Sequence, residues 1–413
     1  MRLLKLGIYH STYLRDFYAE RAELETQTYS IQHKIIIDDC FGSSDFWTRS
    51  LNKLNYQTAD LIANAEPLQK QWARENDFSF DDKNWLFEIA AAQIVKFRPD
   101  VLLVADYSTF TADFLRNIKR ECPSVRLVLG WCGAPYNDAS VFGEWDIVLS
   151  CIPELVNDFR SQGHQCFHVN HAFAPRILNQ LDSILPTSVD FAFVGSILKQ
   201  SRFHIERERI LSELVRHTDL QIWSEIKSPS LKQQRNGFVR RKASQAVAAA
   251  KTAGVPQDLI NALPLVRRLT NGKPSQIAEQ DIDAQIARRT RPPVFGVKMF
   301  QTLRRSRVVL NTHIDVSPSN ASNMRLFEAT GVGTCLLTDW KENLAELFEP
   351  DKEVLTYSSA AECVEKIRYI LAREDERRAI AAAGQRRTLR EHNFDNRAAR
   401  IDEIIKEYFA AHR

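Results

Sequence analysis

Two trains of short, unbroken apolar runs, each run set off from the next by a helical pattern, confine this chain to sheets of parallel strands. In the first train the runs fall at residues 3–9, 33–37, 59–62, 99–106, 125–130, 147–151 and 166–170. Helical spacing of apolar residues predicts helices over 45–54, 85–97, 111–120 and 154–162, the last closed by Gly163. A strand that is apolar along its whole length has both faces covered, and that is the habit of parallel strands crossed over by helices. Right-handed crossovers then give a doubly wound domain with its ligands beyond the carboxyl ends of the strands. Asp106, Tyr107, Trp131, Cys132 and His171 follow such runs and are placed to line a cleft.

The alternation starts again near Pro186. The run Asp190-Phe191-Ala192-Phe193-Val194 ends in the small turn Gly195-Ser196, and a helix over 207–216 and a strand over 220–223 follow. Residues 228–295 interrupt the rhythm with 12 basic against 4 acidic residues. It resumes with helices over 297–305, 324–330, 344–348 and 360–372, strands over 308–311, 334–338 and 353–357, and helix from about 374 onward. A chain of 413 residues exceeds what one core ordinarily serves. The expected division is an N-terminal Rossmann-like domain over 1–180, a second over 181–385 carrying the basic helical insertion 228–295, and a final helix over 386–413 packing back on the first.

Composition narrows the classes further. Hydrophobic residues make up 44% and charged residues 26%, the balance of a folded soluble protein. No stretch approaches the roughly 20 apolar residues that span a bilayer. Lys5 breaks the first apolar run, which therefore reads as a buried strand rather than a leader. The seven cysteines are scattered, with neither C-x-x-C spacing nor an even count, so buried thiols are expected rather than a disulfide framework or a zinc site. The expected compartment is the cytoplasm. A net charge of +3 argues for no nucleic-acid partner. The basic insertion reads either as a solvated helical insert or as peripheral contact with the inner membrane face or a charged glycan.

The most informative stretch is Lys298-Met299-Phe300, Val308-Val309-Leu310-Asn311-Thr312-His313, Ser322-Asn323-Met324-Arg325-Leu326-Phe327-Glu328-Ala329-Thr330-Gly331-Val332-Gly333, Leu337-Thr338-Asp339 and Glu342 to Phe348. With Phe193-Val194-Gly195-Ser196, Asn170-His171-Ala172-Phe173 and the run from Arg377 to Asp395, it resembles group 1 glycosyltransferases, specifically the CgeB-like, spore-maturation group. The resemblance implies a GT-B fold: two Rossmann-like domains facing across a cleft, with a C-terminal helix crossing back. The implied activity is transfer of a hexosyl or related group from a nucleotide sugar to a glycan, lipid-linked or protein acceptor, in cell-surface polysaccharide synthesis. It also implies that Glu328 contacts the nucleotide.

The chemistry of that activity names the remaining candidates. A diphosphate needs N–H donors and cations, and a helix N-terminus offers both free amides and a favourable dipole. The segment 318–323 ahead of Met324 is such a terminus, with Ser322 or Asn323 as N-cap. Arg325 either forks onto phosphate or pairs with Glu328 one turn on. Gly195 and Ser196 let backbone approach a phosphate, and Lys199, Arg202 and Lys298 are further cations. Retaining relatives in glycosyltransferase family 4 carry two glutamates separated by seven residues. Here the second is Glu328 and the first position is Asn320, so a retaining route does not carry over. An inverting route needs a general base, for which Asp106, Asp138 and His171 stand on first-domain loops, each with a turn-capping or packing alternative. His313, at a strand end, serves either the phosphate or sugar, or the core. No metal is expected, because cations and dipoles supply the electrostatics. A nucleotide-sugar epimerase and a non-catalytic nucleotide-sugar-binding protein remain open on the same fold.

Overall fold

The computed structural model describes residues 1–182, 187–197, 204–225 and 284–412. The basic insertion up to residue 283 lies outside them. The first half runs β1 (Arg2–Gly7), α1 (Ser11–Ala19), α2 (Tyr29–Asp38), α3 (Phe46–Asn52), β2 (Gln57–Ile62), α4 (Glu66–Glu75), α5 (Trp85–Phe97), β3 (Val101–Val104), α6 (Ala112–Glu121), β4 (Leu127–Trp131), β5 (Ile147–Ser150), α7 (Pro153–Ser161) and β6 (Cys166–His168). Its strands are all parallel, in the order β2-β1-β3-β4-β5-β6.

The second half runs β7 (Val189–Val194), α8 (Ile205–His217), β8 (Gln221–Trp223), α9 (Ala284–Arg289), β9 (Thr290–Arg291), α10 (Gly296–Arg304), β10 (Ser306–Asn311), α11 (Arg325–Gly331), β11 (Cys335–Asp339), α12 (Leu344–Leu347), β12 (Leu355–Tyr357) and α13 (Ala360–Leu371). This sheet is also parallel, in the order β12-β11-β10-β7-β8-β9. Two long helices close the chain, α14 (Glu374–Glu391) and α15 (Phe394–Ala411).

Alternate side chains explain why the strands read as unbroken apolar runs. Leu3, Val101, Leu103, Leu127 and Leu129 enter one core, while Leu4, Leu6, Leu102, Val104 and Val128 enter another on the opposite face. In the second sheet Ala192, Val194, Val309 and Leu336 face one way, and Phe191, Phe193, Val308, Leu310 and Leu337 the other. The core holding Leu3 and the core holding Val309 are one continuous cluster, which also takes in Phe394, Ala398, Ile401 and Ile405 of α15. Lys5 is the exception within β1. It lies opposite Asp60 in register, and their charged groups meet at 2.8 Å with both side chains buried.

The expected strand at 33–37 is instead part of α2. The β-branched run Ile35-Ile36-Ile37 suggested a strand, but Thr28 caps the helix at Ile31 N, and Gln32, Ile36 and Ile37 are its buried face. Ile31 and Ile35 are left exposed.

The C-terminal helix crosses back to the first half. Phe394 packs on Phe46 and Trp47 of α3, and Tyr56 Oη donates to Asp402 at 2.8 Å. The crossing point is a two-way backbone exchange: Phe173 N donates to His392 O at 2.9 Å and Phe394 N to Phe173 O at 3.3 Å. Arg397 donates beside it to His171 O and to His392 Nδ1. The Phe173 ring lies against Gly331, where any Cβ would stand 2.3 Å from it.

Burial, with Arg397 close by, holds His171 and His392 down to about 4 from an ordinary 6.5. Arg397 donates to His392 Nδ1, so the imidazole is neutral and its Nε2–H faces Leu347 O at 2.7 Å. Their folded values lie below the unfolded ones. Stability is therefore full above about pH 6.5 and is lost as pH falls toward 4. We expect the unfolding midpoint in calorimetry to drop between pH 7 and pH 5, with each histidine costing on the order of 1–2 kcal/mol at pH 5. The drop should shrink in His392→Gln, which keeps a donor and an acceptor; an unchanged slope would contradict this origin.

Candidate functional site at the switch point of the second sheet

In the second sheet the chain runs outward from β7 to β8 and β9, then returns to place β10, β11 and β12 on the other side of β7. The strand order therefore reverses between β7 and β10, and the crevice beyond their carboxyl ends is where such sheets take ligands. β7 ends there in Gly195-Ser196, and β10 in Asn311-Thr312-His313.

Apolar strands turn polar at this edge. Asn311, Thr312, His313 and Thr338 are all buried, so each requires partners. Asn323 Nδ2 donates to Asn311 Oδ1 at 2.7 Å, and Asn311 Nδ2 to Thr338 Oγ1 at 2.9 Å. His313 Nδ1 lies 2.7 Å from Asp339 Oδ1, and its backbone N also reaches that carboxylate. Burial pushes Asp339 up, but the His313 imidazole and the Lys341 ammonium at 3.4 Å outweigh it and hold the carboxyl below its ordinary range. The buried His313 Nε2 and Asn323 Oδ1 at this edge have no partner among the described residues.

Arg207 ties the two sides of the crevice together. It is 8% exposed and donates to Ser196 O at 3.0 Å and to Thr312 O at 2.7 Å. Burial lowers its guanidinium to about 10. The sequence reading passed over it. The available signal was a charge at an apolar-stripe position of α8, one turn before Ile210 and Leu211 and two before Leu214. Lys341, which donates to Pro318 O at 2.7 Å, was missed as well.

The expected N-cap is corrected. α11 begins at Arg325 with Met324 as its flanking residue and no side-chain cap; Asn323 Nδ2 is held by Asn311 Oδ1, and its Oδ1 does not reach a helix amide. Ser322 is buried just ahead of it. A seven-residue helix carries little dipole, so side-chain cations weigh more here than the terminus. Arg325 forms the ion pair with Glu328, at 2.7 Å, and also donates to Val194 O.

The other candidates lie elsewhere. Asp106 accepts from Ser108 N and Thr109 N, and Asp138 from Ser140 N, so both carboxylates cap their own turns. Hydrogen bonding to Ser140 also holds Asp138 below its ordinary value. His171 sits at the crossing point with its ring against Trp131. Lys298 pairs with Glu20, just after α1, at 2.7 Å, with both side chains at least half exposed. Lys199 and Arg202 lie outside the described residues. Among the described residues, no group of three or more metal-ligating acids, histidines or cysteines forms, and no helix is long and apolar enough to cross a membrane.

Solved structures share this architecture over essentially the whole chain. Sucrose-phosphate synthase from Thermosynechococcus elongatus aligns at a TM-score of 0.52 and 10% identity, covering all of both chains. HepE from Anabaena, solved with UDP and glucose, aligns at 0.52 and 10% identity over 98% of this chain and 100% of its own. The fold is GT-B. A glycosyltransferase from Rickettsia africae shares this GT-B arrangement at 0.51 and 9% identity, over 98% and 97% of the two chains. Residues 265–403 match a family model described as glycosyl transferase-like. No curated protein sequence matches the chain.

Arg207→Leu should leave two strand-end carbonyls without their donor. We expect a loss of about 2 kcal/mol in denaturant unfolding and faster amide hydrogen exchange at 194–197 and 311–314. Exchange confined to other segments would show that the tie is not what orders this edge.

Proposed function

We propose that this chain transfers a glycosyl group from a nucleotide sugar to a glycan, lipid-linked or protein acceptor. The observation that carries the reading is the polar crevice at the β7/β10 switch point, with two unpartnered buried acceptor or donor atoms and an arginine–glutamate pair at its edge. Support comes from the glycosyl transferase-like match over 265–403 and from a GT-B protein solved with UDP-glucose.

The donor lies against the second half. Gly195 and Ser196 offer backbone without bulk to the diphosphate, and Arg325 offers the cation. Arg325 holds Glu328 Oε2, which leaves Oε1 to accept a ribose hydroxyl. His313 Nε2 faces the phosphate or sugar, its ring held by Asp339. The acceptor lies against the first half, whose own strand order reverses between β1 and β3. Asp106 follows β3 at that point and is the first base to test, with Asp138 and His171 after it. The departing charge is met by side chains, and no metal is required.

Thermal shift with UDP, GDP, CMP and ADP should single out one nucleotide. A panel of the corresponding sugar nucleotides should show nucleotide release that survives EDTA. Glu328→Ala should weaken nucleotide affinity by about ten-fold or more, the scale of a lost hydrogen bond to a charged group. Equal affinity in the variant would remove the ribose assignment, and release abolished by EDTA would restore a metal to the mechanism.

A further inference from the structure

The loop between β10 and α11 leads directly into Arg325 and Glu328, and it is fastened on two sides. On the side of its own half, Lys341 donates to Pro318 O, Glu342 N to Ser319 O, and Asn343 exchanges two hydrogen bonds with Ala321. On the other side stands Glu154, in the first turn of α7, just beyond the carboxyl end of β5 in the first half. Its Oε1 accepts from Asn320 Nδ2 at 3.0 Å and from Ser319 N at 3.4 Å, and its Oε2 lies 3.2 Å from Ser317 Oγ. Val316 of the same loop packs against the first half's core. Among the described residues, no other side chain of the first half is hydrogen-bonded to this loop.

The pairing is chemically selective. A carboxylate in the first half meets an amide donor, a backbone N–H and a hydroxyl, and charge-assisted bonds of this kind are the stronger ones. A glutamate at position 320, as in the two-glutamate pattern, would set two carboxylates against each other here. Asn320 and Glu154 thus form one unit, in which the position that lacks a carboxylate faces one supplied from across the cleft.

We propose that Glu154 is a positioning residue for glycosyl transfer: the first half's grip on the donor loop, holding the cleft closed so that Arg325 and Glu328 are set for the reaction. This rests on the nucleotide-sugar reading above. Glu154 touches the loop rather than the nucleotide. Its loss should therefore slow turnover while sparing the affinity for free nucleotide, whose contacts all lie in the second half.

The test is a mutant cycle of the full chain: wild type, E154Q, N320E and E154Q/N320E. E154Q removes the charge, N320E opposes two carboxylates, and the double variant restores one amide and one carboxylate with their sides exchanged. Each single change should lower kcat by about ten-fold, as for a charge-assisted bond, with the Kd for the nucleotide found by thermal shift within about two-fold. The double variant should recover kcat to within about three-fold of wild type. In small-angle scattering the single variants should show a larger radius of gyration, and the double variant should return to the wild-type value. An unchanged kcat and radius in E154Q, or a double variant no better than N320E, would overturn the proposal. If wild type binds no nucleotide, the functional reading fails, and the scattering comparison still decides whether Glu154 closes the cleft.

Discussion

The backbone exchange between Phe173 and residues 392 and 394 is the contact on which the arrangement of the two halves depends. The chain passes between the halves here twice, once leaving β6 and once returning after α14, and the two passages hydrogen-bond to each other. Half-buried Arg397 strengthens the crossing by donating to carbonyls and an imidazole on both passages. A guanidinium taken out of water is costly unless its donors are used, and burial lowers this one to about 10. The Phe173 ring fills the space above Gly331 at the end of α11. The helix bearing Arg325 and Glu328 is thereby packed directly on the crossing.

One face of each sheet contributes to a single core that runs through this point into α15. The halves are therefore not two free bodies on a string. Their relative position is set where apolar burial is continuous and is adjustable only where contacts between them are polar. The cleft opposite the crossing mixes the two kinds: Phe295 of the second half meets Tyr13 and Phe41 edge-on and Val316 packs on the first half's core, beside polar contacts of the sort that suit surfaces that open and close.

The strands were legible because both faces are covered: alternate residues enter different cores, which leaves no polar position along the run. The same feature misled at 33–37, where three successive isoleucines look like a doubly buried strand. Of the three, only Ile36 and Ile37 are buried in α2, and Thr28 sets the helix start. Gly195 and His313 were singled out because small or polar residues follow apolar runs at strand ends, and Glu328 because of the family resemblance and its place one turn into a helix. Arg207 was hidden within a helix whose charges read as surface. Glu154 was beyond reach, since its partners are more than 160 positions away and a glutamate in a first helical turn is ordinary on local grounds. Long-range pairing of polar groups leaves no period in a sequence, and the missing carboxylate at 320 gains meaning only beside Glu154.

Several contacts across the cleft share one pattern, carboxylates of the first half engaging backbone amides and cations of the second, while Glu225 of the second half runs the other way, accepting from Thr12 at 3.0 Å. Glu154 accepts from the donor loop, and Glu20 pairs with Lys298 on α10. Asp39 accepts from Val297 N at the start of α10, where Gly296 at φ +53 leaves its carboxylate no room for a Cβ. Burial holds the Asp39 carboxyl above its ordinary value, although the Tyr13 hydroxyl, Arg21 and the helix amide pull it down. Such bonds are directional and individually modest, so they fix a closed geometry without adding much apolar area to it. A large hydrophobic seam would have held the cleft shut. Polar contacts let it close in one register and open again, as the proposed glycosyl transfer requires.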